Sequence, residues 1–336
     1  MIDPAATTRR ALLASGLAAG LVLAGGCVAG PRSVRSERPL LRIAARPDVL
    51  EAGPILHAAA AFGAGRVAML PGGVPNLIEG AVPGALDRFE GGADAAGQSE
   101  TQLLRLSVAN PELRIVLTVT EGLYRIVGRR SAGIARLTDL KGKRIGTFVR
   151  TSAAFFVDRM LDSVGLTEAD ATIVALRPSE MAAALRDRQV DAIAMWEPES
   201  ERALAAIGAD AISFSDPRAY RELYNLNTTA EVLADPARRA RLVEFVRVLI
   251  GSCRTSTDRP EEIWPLVARA SGFDPALVAA SWPHHRFPAD LPADLLDVLT
   301  AEEAWIAAQE RRTPRGRAAL ARLIDSSLLA EARLRS

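Results

Sequence analysis

Cysteine, histidine and aromatic residues are all scarce in this chain: 2 Cys, 3 His and an aromatic content of 5% in 336 residues. Two cysteines, Cys27 and Cys253, cannot build a disulfide framework or a cysteine-based metal site. His57, His284 and His285 have no acid or thiol at motif spacing, and His284-His285 beside Trp282-Pro283 reads as a surface loop. So few aromatics give little support for a stacked sugar. The formal charge is only +1 and no basic run is present, which excludes the electrostatic footprint of a nucleic-acid binder. No nucleophile elbow, Walker loop, zinc motif or dinucleotide glycine pattern occurs, which favours binding over catalysis and implies no cofactor or metal.

What is present begins with an export signal. Arg9-Arg10 precede an uncharged Ala/Leu/Gly/Val stretch over 11–26, too short for a convincing transmembrane helix. Leu23-Ala24-Gly25-Gly26-Cys27 resembles a bacterial lipobox, in which the Cys27 thiol receives a lipid and becomes the new N-terminus. Thr8–Leu13 resembles a twin-arginine motif. Residues 1–26 are thus expected to be a signal and 27–39 a flexible tether, with an uncleaved membrane anchor, or a general-pathway signal carrying two incidental arginines, as the plain alternatives. Removing the signal leaves a formally neutral body, and its length exceeds what one core usually serves, so two lobes are expected.

The most informative run is Leu137–Pro198. Lys143–Phe148 predicts a strand, and Thr151-Ser152 opens a helix with the stripe Val157, Leu161, Val164 and a stop at Gly165. A strand over Thr172–Leu176, a helix capped by Ser179 and a strand over Val190–Trp196 follow. This alternation predicts a parallel sheet, whose ligands bind outside the carboxyl ends of the strands. Elsewhere strands are expected at Leu40–Ala44, Arg66–Leu70, Arg114–Val119, Tyr124–Gly128, Ala211–Phe214 and Tyr224–Thr229. Helices are expected at Leu103–Val108, after the Asp235-Pro236 cap, and near Glu261–Ala270, Ala293–Gln309 and Arg315–Glu331. Ala85–Arg88 leading to Ala93-Asp94-Ala95 faintly echoes Ala184–Arg188 leading to Val190-Asp191-Ala192, as two similar lobes would.

Asp139-Leu140-Lys141-Gly142-Lys143-Arg144-Ile145-Gly146, Thr151-Ser152, Gly165-Leu166, and Val190-Asp191-Ala192 running to Trp196-Glu197-Pro198 resemble the substrate-binding proteins of bacterial ABC importers. The group is that for nitrate, aliphatic sulfonates, taurine and thiamine-pyrimidine precursors. The resemblance implies an α/β fold of the two-lobed type II periplasmic binding kind, with the second lobe inserted into the first and a helical C-terminal part. Lobe 1 would comprise 40–123 and 223–336, and lobe 2 124–222. It further implies a non-enzymatic monomer on the periplasmic side of the envelope that captures a small anionic or zwitterionic organic solute for an ABC permease and ATPase. An enzyme on the same fold, of the thiamine-pyrimidine-synthesis type, and a solute-sensing partner of a membrane receptor are the alternatives. The Ala-rich His57–Gly65 followed by Val67–Leu70 departs from a phenylalanine-rich helix and acidic strand common in the group.

The candidate ligand residues follow from the strand ends. Thr151 and Ser152 sit where helix N–H groups are unsatisfied and suit an anionic group, or else Ser152 simply caps the helix. Gly73, Gln98 and Ser99 offer backbone approach and polar side chains from the other lobe. Trp196 would wall an apolar moiety and Glu197 would accept from an amine, against packing and a favourable helix-dipole position as the plain alternatives. Tyr124 and Asn227, on the crossing strands, would line the floor. Cys253, on an apolar helix stripe, reads as an inert buried thiol, and Asp94, Lys141 and Asp191 as structural.

Overall fold

The structure, a computed structural model, describes residues 40–78 and 92–334. The signal, the lipobox with Cys27, the tether and the Ala85–Arg88 half of the internal echo lie outside the described residues.

Short apolar runs form strands and amphipathic runs the helices between them. β1 (Leu41–Ala44), α1 (Gly53–Phe62), β2 (Val67–Leu70), β3 (Ala95–Ser99), α2 (Glu100–Ser107) and β4 (Leu113–Gly122) come first. β5 (Arg125–Arg129), β6 (Arg144–Thr147), α3 (Ser152–Asp162), β7 (Thr172–Ala175), α4 (Met181–Arg186), β8 (Ala192–Met195), α5 (Glu199–Ile207) and β9 (Ala211–Phe214) follow. β10 (Glu222–Thr229) then leads into α6 (Ala230–Ala234), α7 (Pro236–Asp258), α8 (Trp264–Ser271) and α9 (Pro275–Ser281). β11 (His285–Arg286), α10 (Leu295–Gln309), α11 (Arg317–Ala321) and α12 (Ser327–Leu334) complete the chain.

These strands make two sheets, ordered β11-β4-β10-β3-β1-β2 and β7-β6-β8-β5-β9. β1 runs parallel to β2 and β3, and β6 parallel to β7 and β8, whereas β10 and β5 are antiparallel to their neighbours. The five-stranded sheet is drawn wholly from chain between β4 and β10, so the second lobe is inserted into the first. The chain crosses once through Leu123-Tyr124 and returns through Tyr220-Arg221.

The core of each lobe is separate. In the first, α7 lays Leu242, Phe245, Val246, Leu249 and Cys253 against one sheet face and α1, with Phe62 and Phe245 edge to face at 5.6 Å. Each such large side chain contributes about 1.5–3 kcal/mol on burial. In the second, Ile145, Phe156, Leu161, Leu185 and Ile193 are fully buried. A side chain at Gly97 would meet Ile55 Cδ1 at 2.6 Å and the Tyr224 ring at 2.9 Å. Gly97→Ala should therefore cost about 1–3 kcal/mol by overpacking, read as a lower urea midpoint with unchanged m-value.

Two sequence expectations are corrected. The helix expected over Arg315–Glu331 is broken, because Ile324 bridges to Ile115 and Ile115 N–H donates to the Leu323 carbonyl at 2.6 Å. Strand pairing there overrides helix propensity. His284-His285 is no surface loop: His285 is buried in β11, paired with β4, its ring beside Trp282 and Phe287.

Candidate functional site

The parallel order fixes where side chains gather. In the first sheet the carboxyl ends of β1, β3 and β4 lie beside the start of the antiparallel β10, bringing Glu51, Ser99, Glu100, Glu222 and Tyr224 to one edge; Tyr224 sits across from Ser99. In the second, the ends of β6 and β8 and the start of β5 bring Ser152, Trp196 and Tyr124 together. The two edges meet. The Tyr220 hydroxyl donates to Glu100 Oε1 at 2.6 Å, Phe155 packs on Trp305 at 5.3 Å, and Gln102 Nε2 donates to the Arg150 carbonyl at 3.2 Å.

Among the residues expected at the site, the structure brings Tyr124, Ser152 and Trp196 into one cluster. The Tyr124 hydroxyl and Ser152 Oγ are 3.0 Å apart, and the Tyr124 and Trp196 rings are 5.9 Å apart. Ser152 and Tyr124 are buried and Trp196 is half-buried. Thr151, rather than Ser152, caps α3: its Oγ1 accepts from Ala153 N–H at 3.3 Å while donating to the Phe148 carbonyl at 2.6 Å. That leaves the Ser152 hydroxyl directed at Tyr124.

Gly73 and Gln98 are neighbours in the first lobe. Gln98 Oε1 accepts from Val74 N–H at 2.7 Å and lies where a Gly73 side chain would begin, so the amide pins the loop after β2. Ser99 is buried at the start of α2, and its hydroxyl makes no capping bond. Asn227 stands within the sheet, fully buried, its Nδ2 donating to the carbonyls of Ala96 at 3.1 Å and Asn225 at 3.0 Å. Glu197 is also engaged internally: Oε1 accepts from Arg125 Nε at 2.7 Å and Oε2 from Glu201 N–H at 3.1 Å. Arg125 also pairs with Glu201 at 2.8 Å, so the corner that carries Trp196 is held by ion pairs. Asp191 binds Arg129 and Arg144, and Asp94 binds Arg238. Cys253 is fully buried in α7, where burial pushes its thiol upward.

Four carboxylates that sequence reading did not single out dominate the electrostatics between the lobes. Glu100 is pushed up to about 7 by burial, despite hydrogen bonds from Tyr220 and the backbone of Leu223. Glu302, from α10, is raised well above the usual range by burial and then by the field of Glu100. Glu222 is raised well above it by burial and by Glu51 and Glu100, with the Tyr124 hydroxyl working the other way. Glu51 lies beside His285, Nε2 to Oε1 3.5 Å. Burial works to lower His285, but Glu51 and then Glu197 outweigh it and hold the imidazole above its ordinary value. The available signal was acids standing at strand ends, as in Ser99-Glu100-Thr101 and Arg221-Glu222-Leu223.

Comparison with known proteins agrees with this architecture. No curated protein matches the sequence. Among solved structures, the periplasmic aliphatic sulphonate binding protein SsuA from Escherichia coli superposes with a TM-score of 0.70 at 17% identity, over 85% of this chain and 92% of that one. The periplasmic nitrate-binding protein NrtA from Synechocystis PCC 6803 gives 0.63 at 11% identity, over 88% of each chain. The desulfurization enzyme DSZB gives 0.57 at 14% identity, over 88% of this chain and 99% of that one. The same fold thus serves both binding proteins and an enzyme. A family model described as NMT1/THI5 like matches residues 89–263, more than half of the sequence and all of the second lobe. The chain belongs to the NMT1/THI5-like family.

Proposed function

We propose that this protein is the solute-binding component of an ABC-type importer. It captures a small organic solute between its two lobes and presents it to a permease and ATPase. The sulfonate, taurine, nitrate and pyrimidine-like compounds implied by the sequence resemblance are the range to search. The observation that carries this reading is the meeting of two carboxyl-end sheet edges across paired polypeptide crossings. Tyr124, Ser152 and Trp196 stand on one side, and Ser99, Glu100 and Glu222 on the other. Open α/β sheets bind ligands at such edges, and two crossings permit hinge closure around a solute. The lipobox-like Leu23–Cys27 supports export and anchoring at the periplasmic side through a lipid on Cys27. SsuA of Escherichia coli and NrtA of Synechocystis, which share the fold, are periplasmic binding proteins.

Catalysis is the second reading, because DSZB, an enzyme, shares the fold. The thiol of Cys253 is buried in the first lobe beside the Val119 carbonyl, 3.7 Å away, and not at the meeting edges. A thermal-shift screen across sulfonates, nitrate, taurine, aromatic acids and pyrimidines selects the solute, since a solute selective for the folded state must raise its apparent stability. Ser152→Ala should weaken the selected solute about fivefold and Trp196→Ala about tenfold or more, with circular dichroism unchanged. Unaltered affinity in both variants would remove these residues from the site. Chemical conversion of the selected solute would replace the binding reading with the enzymatic one.

A further inference from the structure

We infer that the captured solute carries a cationic nitrogen, an amine, amidine, guanidine or protonated ring nitrogen, and that Glu51, Glu222 and Tyr224 receive it. The inference rests on the solute-binding reading above and names the charge class of that solute. Its basis is an imbalance of hydrogen-bond donors and acceptors. Glu51, Glu222 and Tyr224 are exposed by only 2%, 4% and 4%. Both carboxylate oxygens of Glu51, Oε2 of Glu222 and the Tyr224 hydroxyl have no hydrogen-bond partner among the described residues. Buried polar atoms are almost always paired, and a buried carboxylate oxygen without a donor is costly. Here they occur together, at the sheet edge where the lobes meet. The phenol is an observation independent of the acids: it is uncharged, unpartnered, and lies in the fields of Glu51 and Glu222.

The surrounding charges do not supply all the missing donors. His285 Nε2 reaches Glu51 Oε1 at an ion-pair distance of 3.5 Å, and no donor reaches Glu51 Oε2. Arg125 is taken by Glu197 and Glu201. Arg46, whose field reaches Tyr224, pairs with the exposed Asp48. On the other side Glu100 and Glu302 add two more acids, so the locus is electronegative. No three His, Cys, Asp or Glu side chains among the described residues are grouped to hold a metal ion. An organic cation, whose N–H groups reach separate acceptors, meets the geometry better than a bare ion. Tyr124 and Tyr220 nearby, packed edge to face with ring centroids 5.9 Å apart, make the adjoining wall aromatic. If the solute is zwitterionic, its anionic end falls to the start of α3 at Ser152. Solutes with an ammonium are thereby favoured over nitrate and simple alkanesulfonates.

Calorimetric titration of the mature chain at pH 7.5 with matched pairs tests this: taurine against ethanesulfonate, benzamidine against benzoate, and agmatine against adipate. In at least one pair the nitrogen-bearing member should bind about tenfold or more tightly than its counterpart. Glu51→Gln combined with Glu222→Gln should weaken that binding about tenfold to a hundredfold. Tyr224→Phe, which keeps the ring, should weaken it several-fold should the double variant fail to fold. Binding of the anionic members alone, or equal binding, overturns the cation assignment and leaves the solute-binding reading standing. Cation binding indifferent to these substitutions overturns the assigned residues. No binding in either arm overturns the inference, and the thermal-shift screen then decides the reading on which it rests.

Discussion

Arg125→Ala should destabilise the protein by about 3–5 kcal/mol, the cost of leaving a buried carboxylate without its partner. The guanidinium is 8% exposed and Glu197 only 1%, with Nη2 to Oε1 at 2.6 Å and Nε to the same oxygen at 2.7 Å. Water cannot take over the lost interactions at such a site, because burial disfavours the ionised form of Glu197 even with Arg125 present. The pair spans the start of β5 and the turn after β8, so its loss also loosens the corner bearing Trp196. Urea unfolding of Arg125→Ala, Glu197→Leu and an Arg125→Met/Glu197→Leu double variant would measure this. The double variant should recover most of the loss of Arg125→Ala, since an apolar pair of similar volume replaces a buried ion pair at little cost. A loss below about 1 kcal/mol for Arg125→Ala would mean that the pair behaves as an exposed one.

Stability of the ligand-free chain should fall as pH rises from 4.5 towards and past 7. Glu100, Glu222 and Glu302 are fully enclosed, and burial raises all three above 4.5, Glu100 to about 7. In that interval the unfolded chain has released protons that the folded chain retains, so the folded state binds more protons and stability declines with pH. The contribution is fully present below pH 4.5 and is lost as pH rises through the folded values, with a slope of up to about 1.4 kcal/mol per pH unit for each retained proton. Below this window the sign reverses. Glu303, where the hydrogen bonds of Arg312 and Arg315 outweigh burial, is held down at about 2, and its protonation removes stability in strong acid. Groups facing the cluster enter the same balance: Tyr124 and Tyr220 titrate far above the window, His285 is held above its ordinary value by Glu51, and His284, lowered to about 4 by burial, works the other way until pH passes its ordinary value. Urea midpoints at half-unit steps from pH 4 to 8 would trace the fall, and Glu302→Gln should flatten it. Stability flat or rising between 4.5 and 7 would contradict the enclosure of these acids. A cationic solute should offset the decline, because it favours the deprotonated cluster.

The run from Leu137 to Pro198 was legible because its signals are local. Gly165 adopts φ +75° at a helix stop, as its place after Val164 required. Apolar runs of strand length between turns located β6, β7 and β8, and their alternation with helices gave the parallel order. Local signals also carried Tyr124, Ser152 and Trp196 to the meeting edges, since each stands at a strand end. They could not show that Glu51, Glu100, Glu222 and Glu302 converge. These come from a turn after β1, the start of α2, the start of β10 and the middle of α10, and no periodicity links them. The same limit explains His285, which reads as polar loop until β11 pairs with β4. It also explains Leu323-Ile324, whose helical propensity yields to pairing with Ile115. Glu197 was visible as an acid beside Trp196, but its partner Arg125 lies on a strand far away in sequence.

The most direct test of the central claim is a calorimetric titration of the mature chain with the solute selected by the thermal-shift screen, followed by recovery of that solute and its identification by mass. Capture between two lobes predicts one solute bound per chain and its return chemically unchanged. Conversion of the solute during the titration, or several weak sites with no saturating stoichiometry, would contradict it.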